Sequence, residues 1–158
     1  MTGVQTCALP ISNSQAELVK FVEKVMAAIH EAVADENKRW NTKAQITVDI
    51  KQVGDRPAGT TPINARIVSA ARAAFKAVGT EARSFEAAST DSNLPISLGV
   101  PAITLSSSGQ GGGQHSLGEW YSPVNNTIGV RNVLLLSLAL AGVEGLTEPV
   151  LEKRAPRP

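Results

Sequence analysis

The hydrophobic positions near the start of the chain predict one long helix followed by one strand. Apolar residues recur there at intervals of three or four with charged residues between them, and Ser14 precedes Glu17 by the spacing of a capping box. Residues 15–38 are therefore expected to form an amphipathic helix. After Asn41 apolar and polar residues alternate, which is typical of a strand covered on one face only. The apolar positions are Leu18, Val22, Val25, Ile29 and Val33 in the helix, and Ile46, Val48 and Ile50 in the strand.

Glycine and proline are concentrated in residues 54–62, and this cluster predicts a domain boundary or a hinge. A second apolar stripe, rich in alanine, follows the cluster and predicts a helix that stops before Gly79, a residue suited to the position after a helix end. The small side chains of this stripe would allow close packing against a sheet. The stripe consists of Ile63, Ile67, Ala70, Ala71, Ala74 and Val78.

The rest of the chain alternates short β-capable runs with helical segments, as parallel α/β domains do. The last helix is apolar almost all round, so we expect it to be covered on most sides. Residues from Thr147 onward have no periodicity and predict a frayed tail. The expected elements are strands at 82–88 and 100–105, a short helix at 92–98, a loop at 109–113, and a final helix at 128–142 capped by Asn126 or Thr127.

Composition narrows the classes of protein. The chain has 158 residues, 42% hydrophobic and 18% charged, which fits one ordered globular domain. A net charge of +1 with scattered basic residues, and only three Phe, two Trp and one Tyr, argue against nucleic-acid binding. The longest apolar run, residues 133–143, is shorter than the roughly 20 residues that a membrane span needs. We therefore expect neither nucleic acid nor a membrane as a partner.

The first eleven residues, Met1 to Ile11, resemble the translation of an adapter oligonucleotide used in sequencing libraries, and we exclude them from the fold. They lack the charged and apolar regions of a secretory signal. The single cysteine of the chain, Cys7, lies within them, so the remainder has no disulfide framework. The native N-terminus and the cellular compartment stay open.

One loop combines residue types that can bind a metal. His115 follows a run of glycines, where the backbone can pass close to a ligand. Asp91 follows the expected strand 82–88, and ligand sites in open α/β sheets lie at such strand ends. Imidazole and carboxylate are zinc ligands in hydrolytic sites, although three or more protein ligands are expected there. Ordinary roles fit too: a surface histidine, a helix cap at residues 90–93, and a solvated acid at Glu119.

The order of the motifs adds a resemblance to a known family. Thr90-Asp91, an apolar helix, Leu98-Gly-Val-Pro101, a glycine loop, His115 and Glu119-Trp120 together resemble the C-terminal signature of the dizinc peptidase family M-twenty. This family includes tripeptide aminopeptidase, glutamate carboxypeptidase, aminoacylase, acetylornithine deacetylase and succinyl-diaminopimelate desuccinylase. The likeness covers nearly all of residues 14–145, with Gly54-Asp-Arg-Pro57 matching the end of the lid domain of the family.

The resemblance implies an α/β fold, with part of a phosphorylase/hydrolase-like zinc-peptidase catalytic domain preceded by part of a ferredoxin-like α+β lid. In this family the lid also mediates dimerisation, which implies a homodimer for the parent protein. The implied division is an adapter-derived segment at 1–11, the end of the lid at 12–56, the C-terminal part of the catalytic domain at 57–146 and a flexible tail at 147–158.

The resemblance also assigns roles at the site. His115 matches the final zinc ligand, Arg56 matches a lid arginine that holds a substrate carboxylate, and Glu119 is placed to orient the imidazole. The implied cofactor is a pair of Zn²⁺ ions, with Co²⁺ or Mn²⁺ as substitutes. The remaining ligands and the general base of the family precede the lid and have no counterpart here. The residues expected to line the substrate cleft are Thr90, Asp91, Gly111, Gly112 and Gly113.

These matches predict the C-terminal part of a zinc-dependent peptidase or amidohydrolase that cleaves small peptides or N-acyl amino acids with metal-activated water. The chain alone is expected to be inactive, because the general base is missing. The alternative is a non-catalytic dimerisation or binding module that uses the first helix and strand. The substrate within these classes stays open.

Overall fold

The computed structural model describes residues 10–40, 43–82, 84–106 and 108–153. Within these ranges it combines helices with a small two-stranded sheet, so the α/β character is present at a coarse level. The chain divides into two compact units, one of residues 1–60 and 87–100 and the other of 61–86 and 101–158. The elements are α1 (Gln15–Trp40), α2 (Arg66–Ala77), α3 (Asn93–Ser97), β1 (Gln110–Gly112), β2 (Trp120–Ser122) and α4 (Asn126–Ala141).

Helix α1 of the first unit confirms the predicted amphipathic helix and extends two residues beyond it. Its start follows the capping spacing in the sequence: the backbone N–H of Glu17 donates to Oγ of Ser14 at 3.4 Å, and that of Leu18 donates to the Ser14 carbonyl at 2.9 Å. The first bond satisfies one of the amide groups that a helix start leaves without partners, and the second is the first regular hydrogen bond of the helix. Leu18 is the buried residue of the helix.

The predicted strand at 46–50 is wrong, because the structure has no strand there among the residues it describes. The apolar alternation is real, but a strand also needs a neighbouring strand to complete its hydrogen bonds. A side chain of α1 supplies such hydrogen bonds at Ile46. Ile46 donates its N–H to Oδ1 of Asn37 at 2.8 Å and accepts from Nδ2 of Asn37 at 3.0 Å, which fastens this segment to α1.

The strands predicted at 82–88 and 100–105 are also wrong for the residues that the structure describes there, Arg83 lying outside them. These runs have β-capable side chains but form no ladder with each other. The short helix between them is confirmed as α3. In the segment 100–105, Ile103 and Leu105 pack against the core of the second unit.

Helix α2 confirms the second predicted helix and its end. Gly79 has φ +78°, and two bonds close the turn: Gly79 N–H donates to the Lys76 carbonyl at 3.1 Å and Thr80 N–H donates to the Phe75 carbonyl at 2.9 Å. This is the Schellman arrangement, which a glycine after the helix end permits. The buried face consists of Ile67, Val68, Ala71 and Ala74.

Helix α4 packs on α2, with Leu136 against Ala71 and Ala74 in the core. Two predictions about α4 are wrong. The residue preceding the helix is Asn125, not Asn126 or Thr127, and its side chain makes no capping bond. The helix is also not covered on most sides, because several of its apolar side chains are exposed. The exposed apolar residues of α4 are Val130, Val133, Leu134, Leu135 and Leu138.

The predicted loop at 109–113 is wrong in its centre, where β1 forms an antiparallel hairpin with β2. Loop residues were expected because glycine is rare in strands. Here the partner strand lies too close for side chains: a Cβ at Gly112 would lie 2.9 Å from Nε1 of Trp120. The hairpin precedes α4 directly and presents its connection to solvent.

The chain after α4 is attached to that helix as far as the structure describes it. Val150 N–H donates to the Ala139 carbonyl at 3.0 Å, and the exposed side chains of Arg66 and Glu152 lie 3.4 Å apart. The frayed tail expected from Thr147 onward stays a prediction. Residues 154–158, like residues 1–9 of the adapter-derived segment, lie outside the described residues. No helix in the described ranges is long and apolar enough to cross a bilayer.

Candidate functional site

His115 lies in the connection between β1 and β2, at an exposed position. Its φ of 63° places the backbone in the left-handed region, which costs a residue with a side chain about 1–2 kcal/mol relative to the ordinary region. Histidine, asparagine and aspartate are the residues that tolerate this region best after glycine. The connection thus holds the candidate zinc ligand in a particular and uncommon backbone conformation.

Two turns and one carboxylate hold this conformation. Ser116 N–H donates to the Gly113 carbonyl at 3.1 Å, and Glu119 N–H donates to the Ser116 carbonyl at 3.2 Å. Oε2 of Glu119 accepts from the backbone N–H of His115 at 3.4 Å. Glu119 was expected to orient the imidazole, and the contact that the structure gives it is instead with the backbone. It therefore braces the turn that carries the ring.

The hairpin requires glycine at position 113 and leaves little room for a side chain at position 111. Gly113 has φ +66°, and a Cβ there would lie 2.8 Å from the carbonyl oxygen of Gly118. A Cβ at Gly111 would lie 3.2 Å from the carbonyl oxygen of Trp120. These glycines have a structural reason in the turn, and their expected part in a substrate cleft stays a prediction.

The first unit brings together the other predicted site residues. Nη2 of Arg56 lies 3.4 Å from Oδ1 of Asp91, with the Asp91 side chain fully exposed. Asn93 joins the two segments: Oδ1 accepts from Thr90 N–H at 2.7 Å, and Nδ2 donates to the Pro57 carbonyl at 3.0 Å. The segment that carries Arg56 is thus tied to the start of α3.

The same segment is fastened at two more points within the first unit. The N–H of Ala58 donates to Oε1 of Gln15 at 2.9 Å, at the start of α1. Gly59 lies against α3, where a Cβ would lie 2.5 Å from Cγ2 of Ile96. The backbone around Arg56 therefore has a defined position within this unit.

A zinc ion at His115 would need further donor side chains close to the imidazole. His115 and Glu119 are of the types that zinc takes, but the described ranges contain no group of three histidine, cysteine, aspartate or glutamate residues placed to hold one ion. A hydrolytic zinc site uses three or more protein ligands. The zinc site at His115 stays a prediction.

The sequence did not single out two residues that organise these regions, Asn93 and Tyr121. Asn93 belongs to the polar run 90–93 that was recognised as a helix cap, so its role had a visible signal. The hydroxyl of Tyr121 lies 2.7 Å from the Ser108 carbonyl oxygen and 3.0 Å from Oδ1 of Asn126. No local pattern in the sequence indicates that contact.

Comparison of the sequence with protein-family models finds no match, and no curated protein matches it either. The resemblance to the dizinc peptidases therefore depends on the ordered motifs from Arg56 to Trp120.

Proposed function

We propose that this chain is the C-terminal part of a zinc-dependent peptidase or amidohydrolase acting on small peptides or N-acyl amino acids. The observation that carries the proposal is the left-handed conformation of His115, braced by Glu119 in an exposed turn. Backbone strain of this kind is concentrated at functional sites, because surrounding contacts must maintain it. Hydrolysis of an amide bond is proposed because the ordered motifs around His115 resemble those of the dizinc peptidases.

In this proposal His115 binds one of two metal ions through its imidazole. When bound, zinc polarises the scissile carbonyl and lowers the pKa of the attacking water. Glu119 holds the turn in the conformation that presents the ring, and Gly111, Gly112 and Gly113 keep the approach free of side chains. Co²⁺ or Mn²⁺ would accept the same donors.

Arg56 is proposed to bind the carboxylate of the substrate, for which its planar group offers two parallel N–H donors. Asp91 contacts one of its terminal nitrogens and limits the orientations of the guanidinium. Thr90 lies beside Asp91 in the same cap. Because both side chains of the Arg56–Asp91 pair are substantially exposed, a substrate carboxylate can compete for the arginine without a large desolvation cost.

The proposed architecture follows the same resemblance. The residues before position 57 would belong to a ferredoxin-like lid that pairs with a second subunit, and residues 57–146 would complete a hydrolase-like catalytic domain. The general base and the other metal ligands would precede the lid. We therefore expect the 158-residue chain alone to be inactive.

The test uses the reading frame upstream of codon 12 in genomic DNA, where a His-x-Asp motif and a Glu-Glu pair are expected. The extended polypeptide should bind zinc and hydrolyse a panel of di- and tripeptides and N-acetyl amino acids. His115→Ala should remove one metal ion and nearly all activity, while His30→Ala, a change to the other histidine of the chain, should preserve both. Full activity of His115→Ala, or robust turnover by the 158-residue chain with added zinc, contradicts the proposal.

A binding or dimerisation module is the second candidate. The observation that favours it is the exposed apolar surface of α1, where Val19 is 47% and Phe21 51% exposed. A native start codon close to codon 12 would support this candidate. Light scattering of the chain should then show a dimer that Phe21→Glu dissociates, while a monomer at high concentration would exclude pairing through α1.

A further inference from the structure

The hairpin that carries His115 is too short to hold a fixed position without help. Strands β1 and β2 have three residues each, and an isolated pair of this kind is at best marginally stable in water. The turn between them therefore depends on contacts that join the hairpin to the rest of the second unit.

The side chain of Tyr121 supplies one such contact. Tyr121 lies opposite Gly111 in the ladder, and its hydroxyl is within hydrogen-bond distance of the Ser108 carbonyl and of Oδ1 of Asn126. A tyrosine hydroxyl has one hydrogen, so the two acceptors share it. Ser108 precedes β1 and Asn126 is the first residue of α4. One side chain thus joins the base of the hairpin to the start of the helix.

Two glycines allow this close arrangement. Gly109 has φ +113°, and a Cβ there would lie 2.6 Å from the Tyr121 hydroxyl oxygen. A Cβ at Gly129 of α4 would lie 2.8 Å from the backbone nitrogen of Ser108. The tyrosine ring and the helix therefore both pack directly on the backbone that leads into β1, and no other residue type fits either position without displacement.

We propose that Tyr121 is a positioning residue for His115. Strand β2 begins directly after Glu119, so fixing Tyr121 also fixes the backbone from which the Glu119 carboxylate reaches the N–H of His115. Loss of the hydroxyl should release the strand, loosen the Glu119 contact and let the left-handed turn sample other conformations. This inference rests on the proposed function, since the position of His115 matters only if its imidazole binds a ligand.

The experiment is nuclear magnetic resonance on the full 158-residue chain without metal, comparing the wild type with Tyr121→Phe. The amide and ring signals of His115 should shift and broaden, while those of His30 stay unchanged. Hairpin amides should exchange about fivefold faster, the factor expected for one hydrogen bond. Asn126→Ala leaves the Ser108 acceptor in place and should produce smaller changes in the same signals.

Ser137→Ala is the matched control, because it also removes one hydroxyl hydrogen bond, from Ser137 to the Val133 carbonyl at 2.8 Å in α4. It should leave His115 unchanged. If Tyr121→Phe alters only its immediate neighbours, or affects His115 no more than the control does, the inference is overturned. The measurement uses neither metal nor substrate, so its failure and a failure of the zinc experiment are separate results.

Discussion

Replacing His115 with glycine should stabilise the hairpin, whereas replacing it with alanine should not. Both changes remove the imidazole, and little burial is lost because His115 is exposed. At a φ of 63° alanine bears the left-handed cost of about 1–2 kcal/mol, which glycine avoids. Glycine also lowers the stability by about 0.4–1 kcal/mol, because its unfolded chain has a greater conformational entropy. The middle values of these two ranges leave glycine a net advantage over alanine of about 0.8 kcal/mol.

Native-state hydrogen exchange of the hairpin amides measures this difference, because it reports the free energy of local opening. The glycine variant should exchange roughly two- to fivefold more slowly than the alanine variant, the ratio that corresponds to this free energy. The neighbouring Gln114 is the matched control, since it is not among the residues with positive φ. There the order should reverse, with alanine more protective than glycine.

Equal exchange in the two His115 variants would refute the assignment of a strained turn, and so would the same order at both positions. A confirmed order would have a further meaning. If the glycine variant is also better protected than the wild type, the natural residue at position 115 lowers the stability of its own turn, which is the pattern expected where a side chain is retained for its chemistry.

Three further predictions concern the packing that supports this turn and the rest of the chain. Gly109→Ala should open the hairpin, because the new Cβ would clash with Tyr121 and alanine avoids the positive φ of this position. The amides of β1 and β2 should then lose their protection from hydrogen exchange, and full protection would contradict the prediction. Leu136→Ala should lower the free energy of unfolding of the second unit by about 2–5 kcal/mol in urea, the usual range for a buried leucine. A loss below about 1 kcal/mol would show that Leu136 is not tightly packed between α2 and α4. Asn37→Ala should release the segment at Ile46 and lower the local stability by about 1 kcal/mol, so the Ile46 amide should exchange faster. Unchanged exchange there would show that the two hydrogen bonds of Asn37 do not stabilise this segment.

The helices could be predicted from the sequence because their signals are local. The capping spacing at Ser14 and the left-handed glycine at position 79 mark helix ends through contacts within a few residues, and both are present in the structure. The strands were harder, because a strand is defined by its neighbour. Residues 46–50 alternate as a strand should, yet what holds Ile46 is an asparagine side chain.

At the candidate site, too, local features could be predicted from the sequence and contacts between separate segments could not. Arg56 and Asp91 are 35 positions apart and form an exposed ion pair, while their part in a substrate cleft stays a prediction. Residues 109–113 are predicted to be a loop because glycine is rare in strands, whereas the structure uses Gly112 and Gly113 where Trp120 and Gly118 approach closely. The contact of Tyr121 joins Ser108 before the hairpin to Asn126 after it, and no period or motif in the sequence indicates such a link.

The uncovered faces of α4 have a consequence for how the chain behaves in a cell. Val130 is 63% exposed and Leu134 56% exposed, on a helix that packs against α2 elsewhere on its surface. Surfaces of this kind attract chaperones and promote self-association when nothing covers them. Any macromolecule that does cover them raises the melting temperature of the second unit by mass action, in proportion to the logarithm of its concentration.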